Sequence, residues 1–349
     1  MKPSQLLVNA PDRQYPIIVE DHALAALPVY LAERGLSGKV AVVTNETIAP
    51  LYGEAVVASL RNAVLVTLPD GESYKTLDSI RLLYDAFFKA ELDRNSIIIG
   101  LGGGVIGDMA GFAAATFLRG VRFVQAPTSL LAVVDSSIGG KVGVDVPQGK
   151  NLIGAFKQPE MVVVDTSVLA TLPDVEWRCG VAEAVKAGLI RDTRLMDVGL
   201  YRRGETAFIP WAIAFKVAIV QEDPYENGPR AFLNLGHTFG HALEQVSGFK
   251  WRHGEAVALG LLAAARLSQL HGLCDMNLPR QVEQMLRALD LPVRYRDYKP
   301  ADIRAAMGTD KKRAGGKVRF VLLHAPGDPV LCDDVPDRKV LDVLESLRE

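Results

Sequence analysis

The residues best suited to chemistry gather in Arg230-Ala-Phe-Leu-Asn-Leu-Gly-His-Thr-Phe-Gly-His-Ala-Leu-Glu244 and in His253-Gly-Glu255, which hold half of the chain's six histidines. On a helix His237 and His241 stand one turn apart on the same face, and a helix-loop-helix return can bring His253 back to them. Neutral imidazole is the commonest metal ligand. Three histidines among apolar and small residues therefore point to a divalent metal, with structural histidines as the plain alternative. Thr238 follows His237 where an H-E-x-x-H helix places its general base, so a protease is not indicated.

A fourth group comes from Gly180-Val-Ala-Glu-Ala-Val-Lys-Ala-Gly-Leu-Ile190, apolar or small except for Glu183 and Lys186. Three residues apart, these two share a helix face and could be a simple ion pair. Two charges alone on a small-residue surface suggest a cleft instead. Glu183 would add an anionic oxygen to two imidazoles, giving an open three-ligand metal site.

Anion chemistry is written elsewhere. Gly100-Leu-Gly-Gly-Gly-Val-Ile-Gly-Asp108 follows a strand and opens a helix, an arrangement that lets backbone approach a pyrophosphate at a helix N-terminus. Its spacing departs from G-x-G-x-x-G, so a tight turn without ligand is the alternative. Asp70-Gly-Glu-Ser-Tyr-Lys75 follows an earlier strand and would face the same crevice, while Asn45 and Glu46 could reach a ribose or be ordinary turn residues. Pro127 to Asn151 is a long glycine-rich loop, of the kind that is usually functional. Its Asp135, Lys141, Lys150 and Asn151 could hold a phosphate or carboxylate and orient hydroxyls; solvated lysines are the alternative.

The elements that must position these groups follow from periodicity. Short β-branched runs at 17–19, 40–43, 63–66, 97–99, 122–125 and 161–164 alternate with helical patterns such as 77–91, where Ile80, Leu83, Tyr84 and Phe87 form one stripe. Alternation implies a mostly parallel, Rossmann-like α/β sheet. Thr171-Leu-Pro-Asp174 reads as a boundary with Asp174 as a possible cap, dividing residues 1–173 from 174–349. Beyond it the pattern is mainly helical (175–191, 207–221, 232–248, 255–270, 278–289), with a late strand at 317–323 after a turn at 313–316. The active site is expected in the cleft between the two domains.

Composition bounds the function. In 349 residues, 39 basic and 41 acidic side chains give no field that would select nucleic acid or an anionic membrane. The first twenty residues lack a signal-peptide core, and the longest apolar run, 256–265, is far short of the roughly 20 residues needed to span a bilayer. Cys179, Cys274 and Cys332 are few and scattered, which fits a reducing cytoplasm rather than a disulfide framework.

Together these motifs resemble the 3-dehydroquinate synthase family over nearly the whole chain. The most specific segments are Asp135-Ser-Ser-Ile-Gly-Gly-Lys141, Gly149-Lys-Asn151 with Gly154-Ala-Phe156, and Asn234-Leu-Gly-His-Thr-Phe-Gly-His241 with His253-Gly-Glu255. The resemblance implies one divalent metal, zinc or cobalt, on Glu183, His237 and His253, with His241 assisting proton transfer instead of ligating. It implies contacts to substrate or phosphate from Asp135, Lys141, Lys150, Asn151, Lys186, Lys216, Arg230, Asn234 and one lysine of the Lys311-Lys312 pair. It places NAD against Asn45, Asp70, Gly71, Glu72, Lys75, Gly103, Gly104, Val105, Gly107, Asp108, Thr128, Ser129, Lys141 and Lys150. Arg119 is expected to reach the substrate of a partner subunit in a homodimer. Ser129, Asp145 and Pro224 depart slightly from the family pattern.

The implied reaction turns 3-deoxy-D-arabino-heptulosonate 7-phosphate into 3-dehydroquinate and phosphate. It proceeds by NAD-dependent oxidation, phosphate β-elimination, re-reduction, ring opening and aldol closure. The alternatives are another sugar phosphate cyclase, a metal-dependent polyol dehydrogenase of similar fold, and a NAD-binding regulator without turnover. The joint presence of Lys216, Arg230, Asn234 and Lys311-Lys312 favours the substrate that carries a carboxylate.

Overall fold

The computed structural model describes residues 4–226, 228–307 and 318–349. They form two compact units, one of 1–172 with 216–224 and one of 173–215 with 225–349.

The first unit is built on a seven-stranded sheet. Its strands are β1 (Ser4–Asn9), β2 (Gln14–Glu20), β3 (Val40–Asn45), β4 (Ala63–Leu68), β5 (Ile97–Gly102), β6 (Arg122–Pro127) and, after a separate hairpin, β9 (Met161–Asp165). Their order is β1-β2-β9-β6-β5-β3-β4, parallel except for the β1–β2 pair. Helices α1 (Leu27–Glu33) and α2 (Glu54–Ser59) supply Leu27, Leu31 and Val56 to one apolar cluster with Val40, Val42 and Ile97. Helices α3 (Leu77–Lys89) and α4 (Gly104–Thr116) supply Leu83, Phe87, Met109 and Ala113 to another with Ala41, Val43 and Ile98. Alternate residues of β3 and β5 thus enter opposite clusters, and a sheet covered on both faces requires strands that are apolar throughout. All six residues of each of these strands are buried.

Chain direction then places the site. The connection from β3 leads to β4 on one side, whereas that from β5 leads to β6 on the other. The crevice beyond the carboxyl ends of such a pair is where an open α/β sheet binds ligands.

The stretch from Pro127 to Asn151 is not a loop throughout. It contains a single π-turn at Ala132–Ser136 and enters the antiparallel hairpin of β7 (Lys141–Val146) and β8 (Gly149–Phe156). Glycines that looked like loop punctuation serve the hairpin's close approach: a Cβ on Gly154 would lie 2.3 Å from the Val142 carbonyl oxygen.

The second unit contains α5 (Asp174–Ile190), the start of α6 (Ile209–Glu222), α7 (His237–Val246), α8 (His253–His271), α9 (Asn277–Ala288), α10 (Pro300–Ala306), hairpin β10 (Phe320–Ala325) with β11 (Asp328–Cys332), and α11 (Asp337–Leu347). Pro173, not Asp174, caps α5, because Asp174 is already helical and its carboxylate meets Arg203. The helix expected over 232–248 is broken. Pro229–Asn234 forms a 3-10 turn, Gly236 adopts φ +79, and α7 begins at His237. A Cβ on Gly236 would stand 2.9 Å from the Leu261 nitrogen, so glycine here satisfies both a left-handed turn and a close approach. Among the described residues no helix is long and apolar enough to cross a membrane. The expected turn at 313–316 lies outside the described residues, as does the start of the late strand.

Candidate active site

In the second unit α5, α7 and α8 converge on one carboxylate. Glu183 is buried near the middle of α5, and its Oε1 lies 3.6 Å from His237 Nε2 and 3.5 Å from His253 Nε2. The two histidines are the first residues of α7 and α8, so the break at Gly236 and the return after α7 set their approach. Lys186, one turn after Glu183, is also buried and pairs with its Oε2. The pair therefore sits inside the unit and not on an open helix surface.

Burial raises the Glu183 carboxyl, but Lys186 and the two imidazoles overcome it and hold the group well below the ordinary carboxylate range. Burial, assisted by Lys186, drives His237 well below the imidazole range. An ionised carboxylate and a neutral imidazole are the forms that bind metal; burial lowers His253 too, but its hydrogen bonds to Glu183 and Glu244 overcome that and push it up to about 9, so this imidazole would give up a proton on ligating.

The donor set fits a divalent cation on a further count. Lys186 pairs with Glu183 Oε2, but the buried Oε1 that faces the two imidazoles has no hydrogen-bond partner of good geometry, a costly arrangement unless something else satisfies it. Ligands roughly 2.1 Å from a common ion are about 3.4 Å apart, close to the separations observed here. His241 lies exposed on α7, its ring centroid 5.2 Å from that of His237. Among the described residues, His241, Glu244 and His253 form a second possible cation group.

The other expected groups of this unit are Arg230, buried in the 3-10 turn, and Asn234 at its end, whose Nδ2 donates to Glu226 Oε1 at 3.0 Å. Lys311 and Lys312 lie outside the described residues. Sequence reasoning missed Glu226 and Glu244. The signal available for Glu244 was its spacing, two helical turns after His237 and within reach of the same face.

In the first unit the carboxyl edge of the sheet gathers the other set. Asn45, ending β3, donates to Asp70 Oδ1 at 2.6 Å. Gly103 caps α4, and Gly104 and Val105 form its first turn, whose backbone N–H groups can face an anion. Gly107 packs closely on β6, where a Cβ would lie 2.8 Å from Gln125 Oε1 and would oblige that side chain to shift. The Thr128 backbone N–H donates to the Gly102 carbonyl, which ties β6's exit to the same place, and Ser129 Oγ accepts from Ala132 N.

Gly71 takes φ +117 in the Asp70–Lys75 turn, which delivers Lys75 to a buried position. Lys75 Nζ donates to Asp108 Oδ2 and to Asn151 Oδ1, each at 2.6 Å. Burial opposes the Lys75 charge, but Asp108 and Glu72 raise the ammonium above the usual lysine range. Burial raises the Asp108 carboxyl as well, opposed by the Lys75 ammonium at 2.6 Å. Lys150 Nζ reaches Glu72 Oε1 at 3.2 Å. The dinucleotide turn and the hairpin that carries Lys150 and Asn151 are thus one hydrogen-bonded network. Lys216 Nζ lies 2.6 Å from Asp135 Oδ1, and Lys141 is exposed where β7 begins. Arg119 is exposed beyond the end of α4. It occupies the turn beyond, with φ +70.

Comparison with known proteins shows the family to which the chain belongs. The family model described as 3-dehydroquinate synthase N-terminal matches residues 65–179, and 3-dehydroquinate synthase C-terminal matches 180–313. The chain is 46% identical over 347 residues to the 3-dehydroquinate synthase of Halorhodospira halophila, covering 97% of this chain and 98% of that one. A 2-epi-5-epi-valiolone synthase from Streptomyces hygroscopicus subsp. jinggangensis, solved with NAD+ and Zn2+ bound, superposes with TM-score 0.88 at 27% identity over 95% of this chain and 96% of the other. A probable glycerol dehydrogenase from Sinorhizobium meliloti shares the fold, with TM-score 0.64 and 18% identity over 99% and 98% of the two chains. Matched by both family models and aligned nearly end to end with a curated relative, the chain belongs to the 3-dehydroquinate synthase family.

Proposed function

We infer that this chain is a 3-dehydroquinate synthase, a phosphate-eliminating lyase that converts 3-deoxy-D-arabino-heptulosonate 7-phosphate to 3-dehydroquinate and phosphate. The observation that carries the reading is the buried Glu183 carboxylate facing His237 and His253 in a chain of this family. These three residues would hold one divalent ion, zinc or cobalt. NAD would lie against the carboxyl edge of the sheet, from Asn45 and Asp70–Lys75 to Gly103–Asp108 and Thr128–Ser129. When bound, the ion supplies Lewis-acid polarisation of substrate hydroxyls, and NAD a hydride acceptor regenerated within each turnover.

The chain's own groups do the rest. Lys141 and Lys150 offer ammonium groups to the phosphate, and Lys216, set by Asp135, offers another; cations there stabilise the anion that leaves. Arg230 and Asn234 orient the substrate carboxylate, with Lys186 assisting, and Asn151 orients a hydroxyl. His241, exposed beside the ligands, moves a proton on the substrate side. The phosphate can serve as its own base, so no further carboxylate is needed. A homodimer, with Arg119 acting across it, and residence in the cytoplasm belong to the same proposal.

The test is phosphate release with NAD in catalytic amount, measured on the heptulosonate phosphate, sedoheptulose 7-phosphate and glucose 6-phosphate. Turnover is expected with the first substrate alone and without net NADH. Stoichiometric NADH would indicate a dehydrogenase, and release from another sugar a different cyclase.

A further inference from the structure

Glu244 lies on α7, two turns after His237, and is 2% exposed. Its Oε1 stands 2.8 Å from His253 Nδ1, while the opposite ring nitrogen, Nε2, stands 3.5 Å from Glu183 Oε1. An imidazole that keeps a proton on Nδ1 presents a bare Nε2, and an ionised carboxylate can only accept. Burying a carboxylate is costly unless it is well paired. We infer that Glu244 is a positioning residue: it accepts the Nδ1 proton of His253, and so fixes both the tautomer and the ring orientation that present Nε2 beside Glu183.

This inference rests on the metal site proposed above, and it assigns the buried carboxylate of the second possible cation group a different task. Glu244 does not ligate; it acts through His253. Outer carboxylates of this kind hold ligating histidines in place, and their loss weakens metal binding about 10–100-fold.

The experiment compares the full chain with its Glu244→Ala and Glu244→Gln variants. Cobalt(II) affinity is measured by competition with a chelator, and the visible cobalt spectrum is recorded. Glu244→Ala should bind cobalt about 10–100-fold more weakly. Glu244→Gln should stay within a few-fold of the native chain with the same spectrum, because its amide oxygen can accept the same proton. Native affinity in Glu244→Ala overturns the inference. So does Glu244→Gln as weak as Glu244→Ala, or with a changed spectrum, which would make Glu244 a ligand. If Glu244→Ala folds poorly, Glu244→Asp carries the comparison, since its carboxylate is drawn back by one methylene; undiminished affinity there is equally fatal. Failure of the native chain to bind cobalt would instead refute the metal site itself.

Discussion

Gly254→Ala adds one methyl group where α8 begins against α5. The new Cβ would lie 2.3 Å from Cys179 Cα and 2.4 Å from the Cys179 carbonyl oxygen. Ordinary contact begins near 3.4 Å, so the two backbones would have to part by about 1.1 Å, and neither obstacle is a side chain that can rotate away. Cys179 precedes Glu183 by one helical turn and Gly254 follows His253 directly. The same displacement therefore widens the 3.5 Å gap between Glu183 Oε1 and His253 Nε2. Metal sites tolerate errors of only about 0.2 Å in ligand distance. Overpacking of this kind costs about 1–3 kcal/mol, or several degrees of melting temperature for a unit of this size. Elemental analysis and calorimetry on purified, folded protein should show lost metal and lowered melting together. Gly248→Ala is the matched control: Gly248 has φ +63 but nothing within 4 Å of a Cβ. It should cost about 1–2 kcal/mol in backbone strain and keep its metal. A Gly254→Ala chain with one equivalent of metal and native melting would refute the argument.

Three other outcomes are expected. His237→Ala should purify almost without metal and His241→Ala should retain it while losing turnover; metal found only in the former would reverse the assignment. Refolded mixtures of Arg119→Ala and His237→Ala chains should recover activity at roughly a quarter of sites if Arg119 acts across a two-fold dimer, and no recovery despite mixed dimers shown by mass analysis would refute that placement. Burial pushes the Cys179 thiol up to about 12, so its reactive thiolate forms only as pH rises towards that value. At about pH 8 in the native state, mass mapping should find a thiol reagent on the partly exposed Cys274 and not on Cys179; early labelling of Cys179 would contradict the burial argument.

What the sequence made legible follows from how evenly each element is buried. Val40–Asn45 and Ile97–Gly102 were readable as strands because both faces are covered, so that Val40 to Val43 and Ile97 to Ile99 run apolar without a polar position to confuse the pattern. The hairpin of β7 and β8 was not, since β8 is largely exposed and reads as a polar, glycine-rich loop. Periodicity put Glu183 and Lys186 on one face, but it says nothing of what covers that face, and both proved buried. Helix propensity likewise ran across 232–248 without a break. At the left-handed Gly236, which precedes α7, a side chain is excluded by Leu261, a tertiary neighbour no local window contains. The links from Lys75 to Asp108 and Asn151 are of the same kind: each residue was legible as part of a motif, and their bonds to one another were not.

The placement of the histidines carries an electrostatic demand that spacing alone does not express. His237 and His253 each open a helix, so a cation between them would face two helix N-termini, each equivalent to roughly half a positive charge. Lys186, buried beside Glu183, adds a full one. Glu183 alone could not offset this, and a second buried carboxylate, Glu244, stands behind His253 on the side away from Glu183. With a divalent ion in place, Lys186 and the two carboxylates still leave a surplus of about one positive charge before the helix ends are counted. Such a centre favours an anionic ligand over a neutral one. A substrate bearing phosphate and carboxylate groups meets that requirement, which a neutral polyol would not.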